Sequence, residues 1–156
     1  MSKLASALGK KYEENRLSVL SREFTVGNHT FKVKIPTVAQ IEKIYNYLKN
    51  PDKEAIEKEY QEAVKNLTAE EKEKAVVSQD DTIIDGKSLK QYITSVHGVK
   101  YRIVEYVKFL VPEIEGGFDN LEYADIEAEW PLAKQMEIVD KINEVISPDY
   151  KEIRSK

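Results

Sequence analysis

The sequence predicts a mainly α (α+β) domain: a helical bundle of about five helices with one N-terminal β-hairpin packed on it. Three observations lead there. Apolar residues recur at intervals of three and four through most of the chain, which gathers them on one face of a helix. Clear alternation of apolar and polar residues occurs once, between residues 23 and 35, with the period of a strand. Of the 156 residues 41% are hydrophobic and 33% charged, which supplies one core and wet outer helix faces.

The elements follow in order. Residues 3–20 carry a partial apolar stripe of Leu4, Leu8, Tyr12, Leu17 and Leu20, interrupted by Gly9. A glycine inside a helix costs about 1 kcal/mol relative to alanine, so a marginal helix is expected here, with residues 1–20 mobile. Glu23-Phe24-Thr25-Val26 and Thr30-Phe31-Lys32-Val33-Lys34-Ile35 alternate around Gly27-Asn28-His29 and read as a hairpin. Phe31, Val33 and Ile35 share a face that must lie on the helices, because a lone hairpin is marginal in water.

Pro36 stops the second strand, and Thr37 caps a helix bearing Val38, Ile41, Ile44, Tyr45 and Leu48. Asn50-Pro51 breaks and restarts it, with Asn50 as cap, and Ile56, Tyr60, Ala63, Val64 and Leu67 line the next helix. Thr68-Ala69-Glu70-Glu71 has the form of a capping box and opens a short charged helix to about Val77. Residues 78–87 read as a loop. From Ser88 the longest apolar pattern runs through Leu89, Tyr92, Ile93, Val96, Val99, Ile103, Tyr106, Val107 and Leu110, with Gly98 a weak point and Pro112 the end. Residues 113–129 lose periodicity. A last helix from about Pro131 turns Leu132, Met136, Val139, Ile142 and Ile146 inward and ends at Ser147-Pro148, leaving 147–156 as a mobile tail. No Gly/Ser/Pro-rich linker divides the chain, so residues 1–156 are expected to form a single domain.

Composition excludes several functions. The formal charge is −4, from 24 basic and 28 acidic residues, without a basic run of the kind that neutralises phosphates, so no nucleic-acid partner is expected. No segment approaches the roughly 18 apolar residues of a membrane helix, and nothing favours a membrane surface. The absence of Cys removes disulfides, thiolate nucleophiles and thiolate metal sites.

Candidate chemistry is sparse. The two His, His29 at the hairpin turn and His97 in the central helix, stand in no metal-binding spacing. Asp80-Asp81-Thr82-Ile83-Ile84-Asp85-Gly86 lacks the alternating acids and the distal Glu of a calcium loop, and reads as a polar loop with an Asp-Gly turn. Phosphate-binding glycine loops and nucleophile elbows are missing, and among 28 acidic residues paired carboxylates arise by chance. No catalytic residue, cofactor or metal is expected.

Two surface features point to protein partners. Between residues 113 and 129 lie Glu113, Glu115, Asp119, Glu122, Asp125, Glu127 and Glu129 with no Lys or Arg among them, and Phe118, Tyr123 and Trp130 are interleaved or adjacent. Such a strip can steer a basic partner and anchor it on aromatics; alternatively it is a solvated loop whose aromatics pin it to the core. The stripe of Leu4, Leu8 and Tyr12 has three readings of equal weight: docking in a partner's groove, packing on its own domain, or self-association.

The order of these elements resembles a known family. The hairpin Phe24-Thr25-Val26 … Phe31-Lys32-Val33-Lys34-Ile35-Pro36, the helix start Pro36-Thr37-Val38-Ala39-Gln40, the charged amphipathic helices and the closing stretch from Trp130 to Pro148 are similar to the tail assembly chaperones of long-tailed bacteriophages. The likeness is one of pattern over most of the chain rather than of a sharp motif. It implies a non-enzymatic chaperone of the host cytoplasm, absent from the finished virion, that binds the tape measure protein and tail tube subunits. It offers no catalytic motif. The rival readings are a structural tail or connector subunit of the virion, an unrelated helical adaptor, and an enzyme without a recognisable motif.

Overall fold

The computed structural model describes residues 2–155, and of residues 148–155 the backbone alone. The chain forms two compact units, one of Met1–Ile41 with Ile103–Lys156 and one of Glu42–Arg102.

The first unit begins with two short helices, α1 (Lys3–Leu8) and α2 (Lys10–Val19), separated at Gly9. Ser2 caps α1 by accepting from the Ala5 amide. The one buried side chain of α1 is Ala5, not a leucine of the expected stripe. Strands β1 (Ser21–Val26) and β2 (His29–Lys34) pair antiparallel with Phe24 opposite Phe31. Gly27 and Asn28 form a two-residue turn, and Gly27 takes the positive φ of 61° that an L side chain adopts poorly. His29, expected in the turn, opens β2 instead.

The hairpin has helical support, as its apolar face requires. β1 packs on the last helix, α8 (Leu132–Ser155), and Arg22 Nη1 donates to the Val145 carbonyl at 2.7 Å. Val33 is wholly enclosed. On its other edge β2 is joined by Phe109–Val111: Lys34 N donates to Phe109 O and Val111 N to Lys32 O, both at 2.8 Å. The long helix, α6 (Leu89–Val107), ends three residues before the Leu110 its apolar pattern suggested: the Lys108, Phe109 and Leu110 amides close its last turns, and the Phe109 carbonyl and Val111 amide are taken by the strand. A loop then leads to α7 (Tyr123–Glu129), a helix within the stretch expected to be irregular. The Glu122 amide donates to Asp125 at 2.9 Å and starts it.

The core of this unit holds Ile103, Tyr106, Val107 and Leu110 at the end of α6 and Ile138, Val139, Ile142 and Ile146 on α8. Leu132, expected inside, is exposed, and Gln135 is buried in its stead. Gln135 tolerates this because Nε2 donates to Trp130 O at 2.8 Å and Oε1 accepts from the Tyr123 hydroxyl at 2.9 Å. α8 does not stop at Ser147-Pro148. Proline fixes φ near its helical value and deletes one amide donor, and the backbone runs on to Ser155. Met1 and Lys156, the ends of the two segments expected to be mobile, lie outside the described residues.

The second unit contains most of α3 (Val38–Lys49), all of α4 (Lys53–Lys65) and α5 (Ala69–Lys74), strands β3 (Ala75–Val77), β4 (Thr82–Ile84) and β5 (Lys87–Ser88), and the first part of α6. Thr37 caps α3 reciprocally with Gln40, and Thr68 and Glu71 form the expected capping box of α5. Asp52, rather than Asn50, caps α4, with Oδ1 accepting from Glu54 N and Ala55 N. Ile56, Tyr60 and Ile93 form one core cluster of this unit, with Ala63, Val64 and Leu89 against them, and Ile44 is buried as well. Tyr92 and Val99, expected in the core, are 66% and 47% exposed. α6 passes through Gly98 without a break.

The sheet β3-β4-β5 was expected to be the end of a helix and a loop. Ala75-Val76-Val77 suits an extended chain through its β-branched residues. Asp85 and Gly86, both at positive φ (52° and 78°), close the β4-β5 hairpin with a turn of the kind Asp-Gly favours. Among the described residues the protein is thus a mainly helical α+β fold with eight helices and two small sheets, not a five-helix bundle carrying one hairpin.

Candidate protein-docking site

The first unit contains an open, mostly apolar cleft of about 430 Å3. The hairpin supplies His29 and Phe31. The end of α6 and the segment paired with β2 supply Val107, Leu110, Val111 and Pro112. The loop contributes Glu113, Phe118 and Leu121, and α7 contributes Asp125, Ile126 and Glu129, with Trp130 closing the wall. At about 30 Å3 per water the space equals roughly 14 waters, enough for a few side chains of another molecule.

Aromatic contacts hold the wall. Phe31 stacks on Phe24 at 5.2 Å between centroids and meets Trp130 edge-to-face at 6.4 Å. The His29 ring stands edge-on to Phe31 at 4.6 Å. Offset and edge-to-face pairs of this kind contribute about 0.5–1.5 kcal/mol beyond their buried area. Phe31 and Trp130 thus keep apolar faces at the cleft without collapsing into it.

The electrostatics are one-sided. Glu113, Asp125 and Glu129 stand at the cleft among apolar walls. Among the described residues none of the seven carboxylates between Glu113 and Glu129 has a cationic partner; the ion pairs lie elsewhere, as in Lys108–Glu105 and Lys134–Glu137. Unpaired carboxylates beside low-dielectric walls attract cations more strongly than carboxylates on an open face.

The residues singled out in the sequence divide. Phe118 and Trp130 line the cleft, half-buried. Tyr123 lies only seven residues before Trp130 but is not part of the lining; its hydroxyl holds Gln135. Leu4, Leu8 and Tyr12 do not line it either: Leu4 is 70% exposed, Leu8 53%, and Tyr12 half-buried. The sequence reading missed His29, Phe31 and Ile126 as cleft residues. The apolar alternation of β2 marked Phe31 as facing something, but not what.

Two polar clusters of the second unit have residue types that can do chemistry. The Glu59 carboxylate accepts from His97 Nδ1 at 3.0 Å, and His97 Nε2 accepts from the Tyr47 hydroxyl at 2.8 Å. Tyr47 also stacks on Tyr101 at 3.9 Å, so the chain of bonds ends in packed aromatics and ties α3, α4 and α6 together. In the other cluster Asp81 accepts from the Ser88 hydroxyl, from Thr82 N at 2.8 Å and from Lys90 N at 3.1 Å. These bonds, the Ser88 hydroxyl foremost, hold the Asp81 carboxyl below its ordinary pKa. Asp81 thereby caps the start of α6 from the loop in which a calcium site was considered. Lys90 Nζ pairs with Glu57 at 3.0 Å, which raises the Lys90 pKa, and lies 5.3 Å from the centre of the Tyr60 ring. The Tyr60 hydroxyl bonds the buried Thr82 at 2.8 Å. No group of three or more potential metal ligands occurs among the described residues, and no helix among them is long and apolar enough to cross a membrane.

Compared with known proteins, the chain matches no family model, no curated sequence and no solved structure.

Proposed function

We propose that this protein is a non-enzymatic assembly chaperone that holds an apolar, cation-flanked segment of another polypeptide in the cleft of its first unit. The supporting observation is the pairing of apolar walls with carboxylates that lack a cationic partner among the described residues. Apolar side chains seated there leave water, and burying one fully is worth about 1.5–3 kcal/mol. Lys or Arg beside them meet Glu113, Asp125 and Glu129, which orients the client and favours basic over acidic segments.

The resemblance to tail assembly chaperones of long-tailed bacteriophages supplies the client. On this reading the cleft takes helices of the tape measure protein in the host cytoplasm, keeps them soluble, and meets tail tube subunits during assembly. A long helical protein exposes many apolar stripes before it is packed, and a reversible holder with a charged rim covers them without aggregating itself.

Co-expression with a tape measure protein, the client the resemblance implies, is the test. The soluble fraction of that protein is expected to rise with the wild-type chain and fall back with Phe118→Ala and Trp130→Ala together. An unchanged soluble fraction with the wild-type chain overturns the proposal. Mass spectrometry of purified virions separates the rival structural role, since a chaperone is absent from them and a tail subunit is present.

A further inference from the structure

We propose that the same cleft accepts the N-terminal segment, residues 2–12, of a second copy of this chain, so that the protein covers its own docking surface by self-association. This rests on the cleft being a protein-docking site and names a second occupant for it.

The two segments are complementary in charge. Residues 1–12 contain Lys3, Lys10 and Lys11 and no Asp or Glu, whereas residues 113–129 contain seven acids and no Lys or Arg. They are complementary in surface as well. α1 places Leu4 and Leu8 one turn apart on the same side, at 70% and 53% exposure, while the cleft has apolar walls and is open. Ala5, 2% exposed, is the side chain by which α1 sits on its own unit. At about 100° per helical position Leu4 and Leu8 point about 100° and 60° from Ala5, both to one side of it, and both side chains stay exposed there. No residue of α1 or α2 lines the cleft of its own chain.

An unfilled apolar knob and an unfilled apolar hole of opposite charge thus coexist in one unit. A second molecule satisfies both. Leu4 and Leu8 enter the cleft, and the flanking lysines meet Glu113 and Glu129. The contact joins different patches, so a reciprocal exchange closes a dimer and a one-way exchange extends the assembly. Because client and second copy use one cleft, they exclude each other.

The absence of Cys makes the contact open to trapping in the full-length protein. Leu8→Cys in one chain and Glu129→Cys in another, mixed and oxidised, are expected to give mixed disulfide dimers at least tenfold above the dimers of either variant alone. Leu4→Asp with Leu8→Asp, both at exposed positions, is expected to keep the wild-type circular dichroism and to weaken association at least tenfold in sedimentation. High salt is expected to weaken the wild-type contact, because the screening length falls from about 10 Å at 0.1 M to about 3 Å at 1 M. Three results overturn the inference: a full-length chain that stays monomeric, mixed dimers no more abundant than same-variant dimers, or an internal cross-link within one chain carrying both substitutions, which would make its own segment the occupant. A chain that never associates yet keeps the client soluble sinks this inference and leaves the proposed function standing. A chain that cross-links through Leu8 and Glu129 but leaves the client insoluble sinks the function and leaves the contact.

Discussion

In the unit of residues 42–102, Asp81, Lys90 and His97 have the side chains from which sites are built, and each is engaged by neighbours in the same unit. In the other unit, the carboxylates between Glu113 and Glu129 lack cationic partners among the described residues, and three of them stand at an open apolar cleft. The contrast shows why residue type alone is a poor guide to function. A Glu-His-Tyr chain looks like catalytic machinery, yet its bonds join three helices, whereas three acids without a cationic partner make a surface that another molecule can complete.

The largest effect tests the packing beneath the cleft unit. Ile142 is wholly enclosed on α8, and Ile142→Ala is expected to cost about 2–5 kcal/mol through lost burial and the cavity left behind. Denaturant unfolding reads the magnitude, and amide exchange reads the place. Protection should fall in residues 1–41 and 103–156, and a loss confined to residues 42–102 would break the division into two units.

Next comes the cleft wall. Trp130→Ala and Phe118→Ala are each expected to weaken client binding by about 2 kcal/mol, some thirtyfold, as truncations of central aromatic anchors do. Tyr123→Phe, in the same stretch, removes the bond to Gln135 and should leave binding within a factor of about two, because the ring is not in the lining. Titration calorimetry on all three variants, each first checked for folding, decides the matter. If Tyr123→Phe weakens binding as much as Trp130→Ala, the client does not bind in this cleft.

What the sequence disclosed and what it hid follow from range. The β1-β2 hairpin was legible because strand alternation and the Gly27 turn are written in contiguous residues, as are the caps at Thr37 and Thr68. Phe118 and Trp130 were legible as aromatics beside an acidic run. Their neighbours His29 and Phe31 lie far away in the chain, and nothing local says that the hairpin reaches them. The end of α6 was misplaced for the same reason: Leu110 continues the apolar pattern, while the pairing of Phe109–Val111 with β2 is a tertiary event. The second sheet did leave a local trace, the Asp85-Gly86 turn beside Ile83 and Ile84, but strands of two and three residues are too short for alternation to register. Gln135 was passed over as a core residue because burial of an amide depends on partners, here Trp130 O and Tyr123, that only the fold supplies.

A smaller effect is expected where the second unit ties its helices. Tyr47→Phe deletes the bond to His97 and keeps the ring stacked on Tyr101, so a loss of about 1 kcal/mol is expected in thermal or denaturant unfolding. Client binding should stay unchanged. A variant as stable as wild type but defective in binding would move function into the unit assigned a structural part, and would reverse the contrast between the two.

The smallest effect is a pH dependence, and its direction is fixed by the Asp81 bonds. The Ser88 hydroxyl and the amides of Thr82 and Lys90 favour the ionised carboxyl, so its folded pKa lies below the ordinary 3.8. The unfolded chain then binds the proton more readily than the folded one, and stability rises with pH through that interval. The contribution is fully present only above about pH 5, where the unfolded carboxyl is also ionised, and is lost as pH falls through the folded value. Asp81→Asn keeps an oxygen acceptor without the titration. The wild-type chain should therefore be the more stable at neutral pH, and the two should converge as the solution is acidified below 3.8, as followed by the midpoint of thermal unfolding. A gap that stays constant across this range would mean that the carboxylate charge does not contribute to capping α6, and that the second unit holds its sheet to its helix by backbone pairing instead.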